Sequence, residues 1–155
     1  METIKTFSNL ESYQQIKARH QADVNAFPLG AAFSDKQLAE MMAQFGLPND
    51  KSGYAQIVSL GYGCFIKKTD VPAWREMCER HDREMKEFRK NRKELKKALF
   101  YEFGNHESQF NLNEETICNC VGLDWEEVQN DAELLKLFKD TYREFYRHCI
   151  EHDLF

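Results

Sequence analysis

DVPAWREMCERHDREMKEFRKNRKELKKALFYEF, residues 70–103, is the stretch on which the fold turns. Trp74, Met77, Cys78, His81, Met85, Phe88, Leu95 and Leu99 recur in it at steps of three, four and seven residues, the spacing of one face of an amphipathic helix. Thr69 or Asp70 can cap its start, and Pro72 falls in the first turn, where a missing N–H does no harm. Away from the stripe, Glu79 with Arg83, Asp82 with Lys86 and Glu94 with Lys97 have the three- or four-residue separation that supports a solvated helix face. The spacing predicts one long central helix over 70–103 and a mainly α protein built around it.

The flanking segments add shorter helices. Upstream, Leu10, Tyr13, Ile16, His20, Val24 and Phe27 predict a helix over 9–27 capped by Ser8 or Asn9, and FPLGAAF (27–33) predicts an extended piece across the core. Ser34 and Asp35 begin a second helix, with Leu38, Met41, Met42 and Phe45 on one side before Gly46 ends it. QIVSLGYGCFIK (56–67) holds two β-prone pieces around Gly61-Tyr62-Gly63. Either they form a small two-stranded β-hairpin, or a helical turn over 54–60 precedes one short strand. Downstream, Asn113 starts a short helix closed by Gly122, Asp124 caps WEEV, and a last helix over 131–152 presents Leu135, Phe138, Tyr142, Phe145 and Cys149. With no repeat and no long linker, a compact single helical domain over 1–155 is expected.

Composition bounds the rest. A chain of 155 residues that is 42% hydrophobic can bury a real core, and twelve Phe, six Tyr and two Trp make that core aromatic. No run of about 18 apolar residues occurs, and METIKTFSNLESYQQ lacks a basic start followed by an apolar stretch, so a cytoplasmic protein with no membrane segment is expected. Five irregularly spaced cysteines argue for reduced thiols rather than a disulfide framework. The net charge of −5 is uneven: residues 1–100 carry 17 Lys+Arg against 13 Asp+Glu, and residues 101–155 carry 4 against 13. Such halves either mark a partner surface or neutralise each other on folding.

Motifs for nucleotides and for common hydrolases are missing. GYG at 61–63 lacks a third glycine, and GxxxxGK[ST], GxSxG and HExxH do not occur. No cofactor is called for, and catalysis is not the leading expectation. What remains is four weaker constellations. His106 with Glu107 or Glu102, if turned toward His81, would supply a metal site or an acid–base pair; the alternative is a core His81 and an Asn105-His106 helix cap. Cys118 and Cys120 with His148, Cys149 and His152 carry zinc-type donors without the usual paired spacing. Lys86, Arg89, Lys90, Arg92, Lys93, Lys96 and Lys97 make a basic run that could follow a phosphate backbone, dock an acidic protein or complement the acidic end of the chain. Glu114, Glu115, Glu126 and Glu127 could present a negative surface, or simply occupy helix starts where the dipole favours acids.

Several stretches resemble an uncharacterised family of small proteins found in gut bacteria and their mobile elements: AFSDKQLAEMMAQFGL (32–47), SLGYGCFIKKTD (59–70), ERHDREM (79–85), YEFGNHES (101–108) and VGLDWEEV (121–128). The resemblance covers most of the chain in order, and the Lys-rich KEFRKNRKELKK is its least typical part. It implies a bacterial or phage-linked cytosolic setting and an accessory role, and it brings no catalytic residue. The expectation is therefore a non-enzymatic binding or regulatory protein acting through a charged surface on a protein or nucleoprotein partner. The alternatives are nucleic-acid binding through residues 86–97, and a metal-binding or hydrolase-like centre at His81, His106 and Glu107.

Overall fold

The computed structural model describes residues 11–155 and is mainly helical, with a small antiparallel sheet. Its elements in chain order are α1 (Tyr13–Ala26), β1 (Gly30–Ala31), α2 (Asp35–Gln44), α3 (Lys51–Tyr54), β2 (Ile57–Gly61), β3 (Cys64–Lys67), α4 (Val71–Arg89), α5 (Arg92–Asn105), α6 (Glu114–Cys120), α7 (Trp125–Gln129) and α8 (Ala132–Glu151). None of the described helices is long and apolar enough to cross a membrane. The chain divides into two compact units: residues 18–81, and residues 82–155 with the described residues up to Lys17.

The helix expected over 70–103 is two helices. Lys90 and Asn91 donate to Glu87 and Phe88, three residues back, which tightens the chain out of α geometry, and the Asn91 side chain then accepts the Glu94 N–H at 3.3 Å as the cap of α5. Asparagine is a poor interior residue because its side chain competes for backbone groups, and for the same reason it is a good cap. The start of α1 also moves. Ser12 Oγ accepts the Gln15 N–H at 3.2 Å while Gln15 Oε1 accepts the Ser12 N–H at 2.8 Å, a reciprocal box that sets the helix start. Ser8, Asn9 and Leu10 lie outside the described residues.

In the 18–81 unit, β2 and β3 form the expected hairpin, and β1 adds a third strand on the far edge of β3, giving the order β1-β3-β2. Gly30 faces Phe65, Val58 faces Ile66, and the register slips between Ser59 and Gly61. The extended stretch read in FPLGAAF thus becomes sheet rather than connection. Gly30 is required there because a Cβ would come within 2.6 Å of Met41 and Phe45. Met41, Met42, Ile66 and Met77 form the buried centre of this unit, and Phe27 meets Trp74 edge to face at 5.1 Å.

The other unit packs α5 along α8, with α6 and α7 against them. Leu95, Ala98, Leu99 and Phe103 of α5 meet Phe138, Phe145 and Cys149 of α8, and Ile117, Cys118, Val121 and Val128 complete a core to which Tyr13 belongs. Phe103 contacts the rings of Phe138 and Tyr142 at 5.2 Å each. Burying a side chain of this size stabilises by about 1.5–3 kcal/mol. At the end of α5, Glu107 adopts a left-handed φ of 49°, and the Ser108 and Glu107 N–H groups return to the Phe103 and Gly104 carbonyls. This closing turn makes His106 the cap residue and fixes where its ring goes.

Candidate functional site

Leu95, Leu99, Glu102 and His106 lie at steps of four, three and four along α5, so the helix that buries Leu95 and Leu99 carries Glu102 into the interior with no exposed surface. Its two oxygens have different neighbours. Oε1 accepts from the Lys17 ammonium at 3.0 Å and shares the Tyr13 hydroxyl, at 3.1 Å, with the Cys120 carbonyl at 2.9 Å. Tyr13 and Lys17 are one turn apart on α1, and the ammonium lies 5.1 Å from the centre of the Tyr13 ring. Oε2 has no hydrogen-bond partner; His106 Nε2 stands 3.2 Å from it and 3.4 Å from Cys120 Sγ.

Burial by itself would raise the Glu102 pKa, but Lys17, Cys120 and Tyr13 outweigh it and hold the carboxyl below its usual range. Cys120 moves the other way, pushed up to about 11 by burial and by the Glu102 charge. The same two causes raise the Tyr13 phenol. The thiol therefore stays protonated at neutral pH, unlike the thiolate that nucleophilic cysteine chemistry uses. The group joins three different donors, a carboxylate oxygen, an imidazole nitrogen and a sulfur, all within 4.8 Å of one another.

This cluster unites residues that the sequence places in separate constellations. His106 meets Glu102, one of the two carboxylates expected beside it, while Glu107 is exposed on the left-handed turn. His81 has its own partners: Nε2 lies 2.9 Å from Asp23 Oδ2, which also accepts from Arg80 at 3.0 Å, and its ring stacks on His20 at 3.8 Å. The zinc-type set around CNC divides. Cys118 and Cys149 are buried, the Cys118 thiol pushed up to about 12 by burial, while the rings of His148 and His152 meet at 4.1 Å, tilted by 34°. Of that set, Cys120 joins Glu102 and His106. The sequence marks Glu102 as an acid in step with Leu95 and Leu99, Cys120 as a zinc-type donor and Tyr13 as a helix-face residue, but nothing local joins them to one another or singles out Lys17.

The basic run is not one continuous face. Arg89 is half-buried and donates to the Val121 carbonyl at 3.3 Å, and the break at Asn91 separates Lys86 and Lys90 from Lys93, Lys96 and Lys97. Arg92 pairs with Glu133 at 3.1 Å and Lys96 with Glu144 at 2.8 Å, both acids of α8, while Lys97 pairs with Glu94 within α5 and Lys90, just past the end of α4, pairs with Glu87. Lys93, Lys96 and Lys97 border an open groove of about 610 Å³ beside Phe100 and Tyr101. On the acidic side, Glu114 and Glu115 follow the cap Asn113, and Glu126 and Glu127 follow the cap Asp124.

A second groove, of about 620 Å³, runs along α8. Trp125, Phe138, Tyr142 and Tyr146 line it, and Lys139, Arg143 and Arg147 border it at four-residue steps; Glu114 is the single acid in its wall. Arg143 lies 3.8 Å from Asp140, whose nearer partner is Lys136, and among the described residues Lys139 and Arg147 form no salt bridge. The aromatic surface continues past the groove: Tyr146 contacts Phe155 at 5.4 Å, and Phe155 contacts Phe110 at 6.0 Å. Ile150, Phe110 and Phe155 are each more than half exposed.

The chain belongs to the family of unknown function DUF7659, which it matches over residues 12–144. That span takes in all five residues of the Glu102 cluster. No curated protein and no solved structure matches the chain.

Proposed function

We propose that this member of DUF7659 is a non-enzymatic binding protein whose working surface is the α8 groove, and that the groove takes an acidic, apolar-faced helical segment of a partner protein. The carrying observation is the pairing of an aromatic floor with a border of Lys139, Arg143 and Arg147 that has little internal neutralisation. Large exposed apolar patches rimmed by charge mark interaction sites, and Tyr, Trp and Arg are the residues that dominate such interfaces. Cations at four-residue steps along one helix suit a partner helix with acids at the same spacing.

The basic run supports this choice by contrast. Arg92 and Lys96 are already matched by α8 acids, so residues 86–97 serve in part as an internal complement to the acidic end of the chain rather than as a phosphate track. An accessory or regulatory role in a bacterial cytosol, including a phage-linked one, is the setting that the sequence resemblance implies for such a protein.

Two labelled synthetic amphipathic helices test the reading, sharing one Leu/Phe face and differing only in having Glu or Lys elsewhere. Fluorescence anisotropy should show that the Glu peptide binds, that the Lys peptide does not, and that the K139E/R143E/R147E variant weakens binding by about tenfold or more. Equal binding of both peptides, or none of the acidic one, would overturn it. So would a DNA or RNA gel shift abolished by K93E/K96E/K97E and untouched by the α8 variant.

A further inference from the structure

We propose that Glu102 Oε2, His106 Nε2 and Cys120 Sγ are the three protein ligands of a zinc-class divalent ion, with one coordination position left to water. The site is separate from the α8 groove and does not depend on that reading. Its first support is spacing. Zn–O and Zn–N bonds of about 2.0–2.1 Å and Zn–S bonds of about 2.3 Å at tetrahedral angles put O and N about 3.3 Å apart, and N and S about 3.6 Å apart. The corresponding separations here are 3.2 and 3.4 Å. The third pair, the Glu102 carboxylate and Cys120 Sγ, lies within the 4.8 Å that encloses all three donors, so an ion enters as these side chains close on it.

The second support is Glu102 Oε2, a buried carboxylate oxygen that no well-formed hydrogen bond reaches and whose neighbour is His106 Nε2 at 3.2 Å. A buried charged oxygen so thinly satisfied asks for an explanation. Its sister oxygen supplies one. Tyr13 and Lys17 hold Oε1, which orients the carboxylate in the way that outer-shell hydrogen bonds orient metal ligands, and leaves Oε2 directed at His106 and Cys120. The Lys17 ammonium opposes a second cation nearby, and the proton that the thiol gives up on ligation offsets that opposition. The His106 side chain is 36% exposed, so an ion reaches the site from solvent through the imidazole.

Donor chemistry selects the metal class. Magnesium and calcium take all-oxygen shells, whereas sulfur, imidazole and carboxylate together suit zinc and its neighbours.

Cobalt(II) is the probe. The full chain, stripped with chelator, should take up one equivalent of Co2+ and develop tetrahedral visible bands with a near-ultraviolet sulfur-to-cobalt band, and Zn2+ should bleach both. Cys120→Ser should abolish the sulfur band, His106→Ala should weaken binding by about tenfold or more, and Cys64→Ser should change nothing. His106 caps an exposed turn, so its variant keeps the test alive if Cys120→Ser does not fold. As a second measurement on the unmutated chain, made at an alkaline pH where the metal-free Cys120 thiol alkylates, Zn2+ should protect Cys120 while Cys64 still reacts. No sulfur band at excess Co2+, the same band in Cys120→Ser, or alkylation of Cys120 unaffected by Zn2+ would each overturn the assignment.

Discussion

Lys17 Nζ stands 3.0 Å from Glu102 Oε1, a half-exposed ammonium against a carboxylate with no exposed surface. Removing one member of a buried pair leaves an uncompensated charge, which costs about 3–5 kcal/mol when both partners are buried. Lys17 is in contact with water and Tyr13 still donates, so Lys17→Met should cost less, about 1–2 kcal/mol. Tyr13→Phe should act in the same direction, while Lys17→Met combined with Glu102→Gln should recover part of the loss because the orphaned charge is gone. Guanidinium unfolding midpoints measure all three. A Lys17→Met variant as stable as the parent would mean that the pair contributes nothing.

The junction between α4 and α5 gives a prediction whose sign decides between two structures. Asn91 caps α5 through the Glu94 N–H, so Asn91→Ala should destabilise by about 1 kcal/mol. Were residues 70–103 one continuous helix, the same change would replace a poor interior residue with the best one and stabilise by a few tenths of a kcal/mol, up to about 0.7. Asn91→Asp keeps the acceptor and should be nearly neutral. Thermal and urea unfolding followed by circular dichroism separate the outcomes.

Periodicity carried the class of the fold because a three- and four-residue stripe specifies a helix without reference to anything distant. It failed at Asn91 because the apolar steps on either side, Phe88 and Leu95, stay in phase across the break and only the cap marks it. The strand β1 was readable as extended chain but not as sheet: two residues, Gly30 and Ala31, are too short for alternation, and their partner β3 lies more than 30 positions away. The polar cluster was harder still. Lys17 and Glu102 are 85 residues apart, and Tyr13 and the Cys120 carbonyl 107, so no local pattern links them. The charge imbalance between the two parts of the chain was legible, and Arg92–Glu133 and Lys96–Glu144 realise some of it as pairing within the protein.

Glu107 holds a left-handed backbone, with a φ of 49°, in the closing turn of α5. For a residue with a Cβ that conformation costs about 1–2 kcal/mol, and glycine avoids it at some expense in chain entropy. Glu107→Gly should therefore stabilise by about 0.5–1 kcal/mol and leave the His106 position unchanged. Glu107→Val, branched at Cβ, should destabilise. Denaturation midpoints report the stabilities. Cobalt binding by the Glu107→Gly protein should match that of the parent, because Glu107 is not one of the proposed ligands.

Asp23 accepts from both His81 Nε2 and Arg80, and hydrogen bonds to His81 first and Arg80 second hold its carboxyl below the ordinary value of 3.8. His20 is stacked on the His81 ring beside this pair. Because the folded-state pKa is lowered, the ionised carboxylate contributes stability above about pH 4, and that contribution is lost as pH falls through the folded value. Asp23→Asn should accordingly be less stable than the parent near pH 7, with the gap closing as the pH falls through the lowered folded-state value of Asp23 and the parent carboxyl becomes protonated as well. Parallel unfolding curves at several pH values give the difference directly. A gap that stays constant from pH 7 to the acid limit would show that the amide is lost for its shape and not for its charge, and the pairing with His81 and Arg80 would then have no electrostatic role in holding α1 to α4 there.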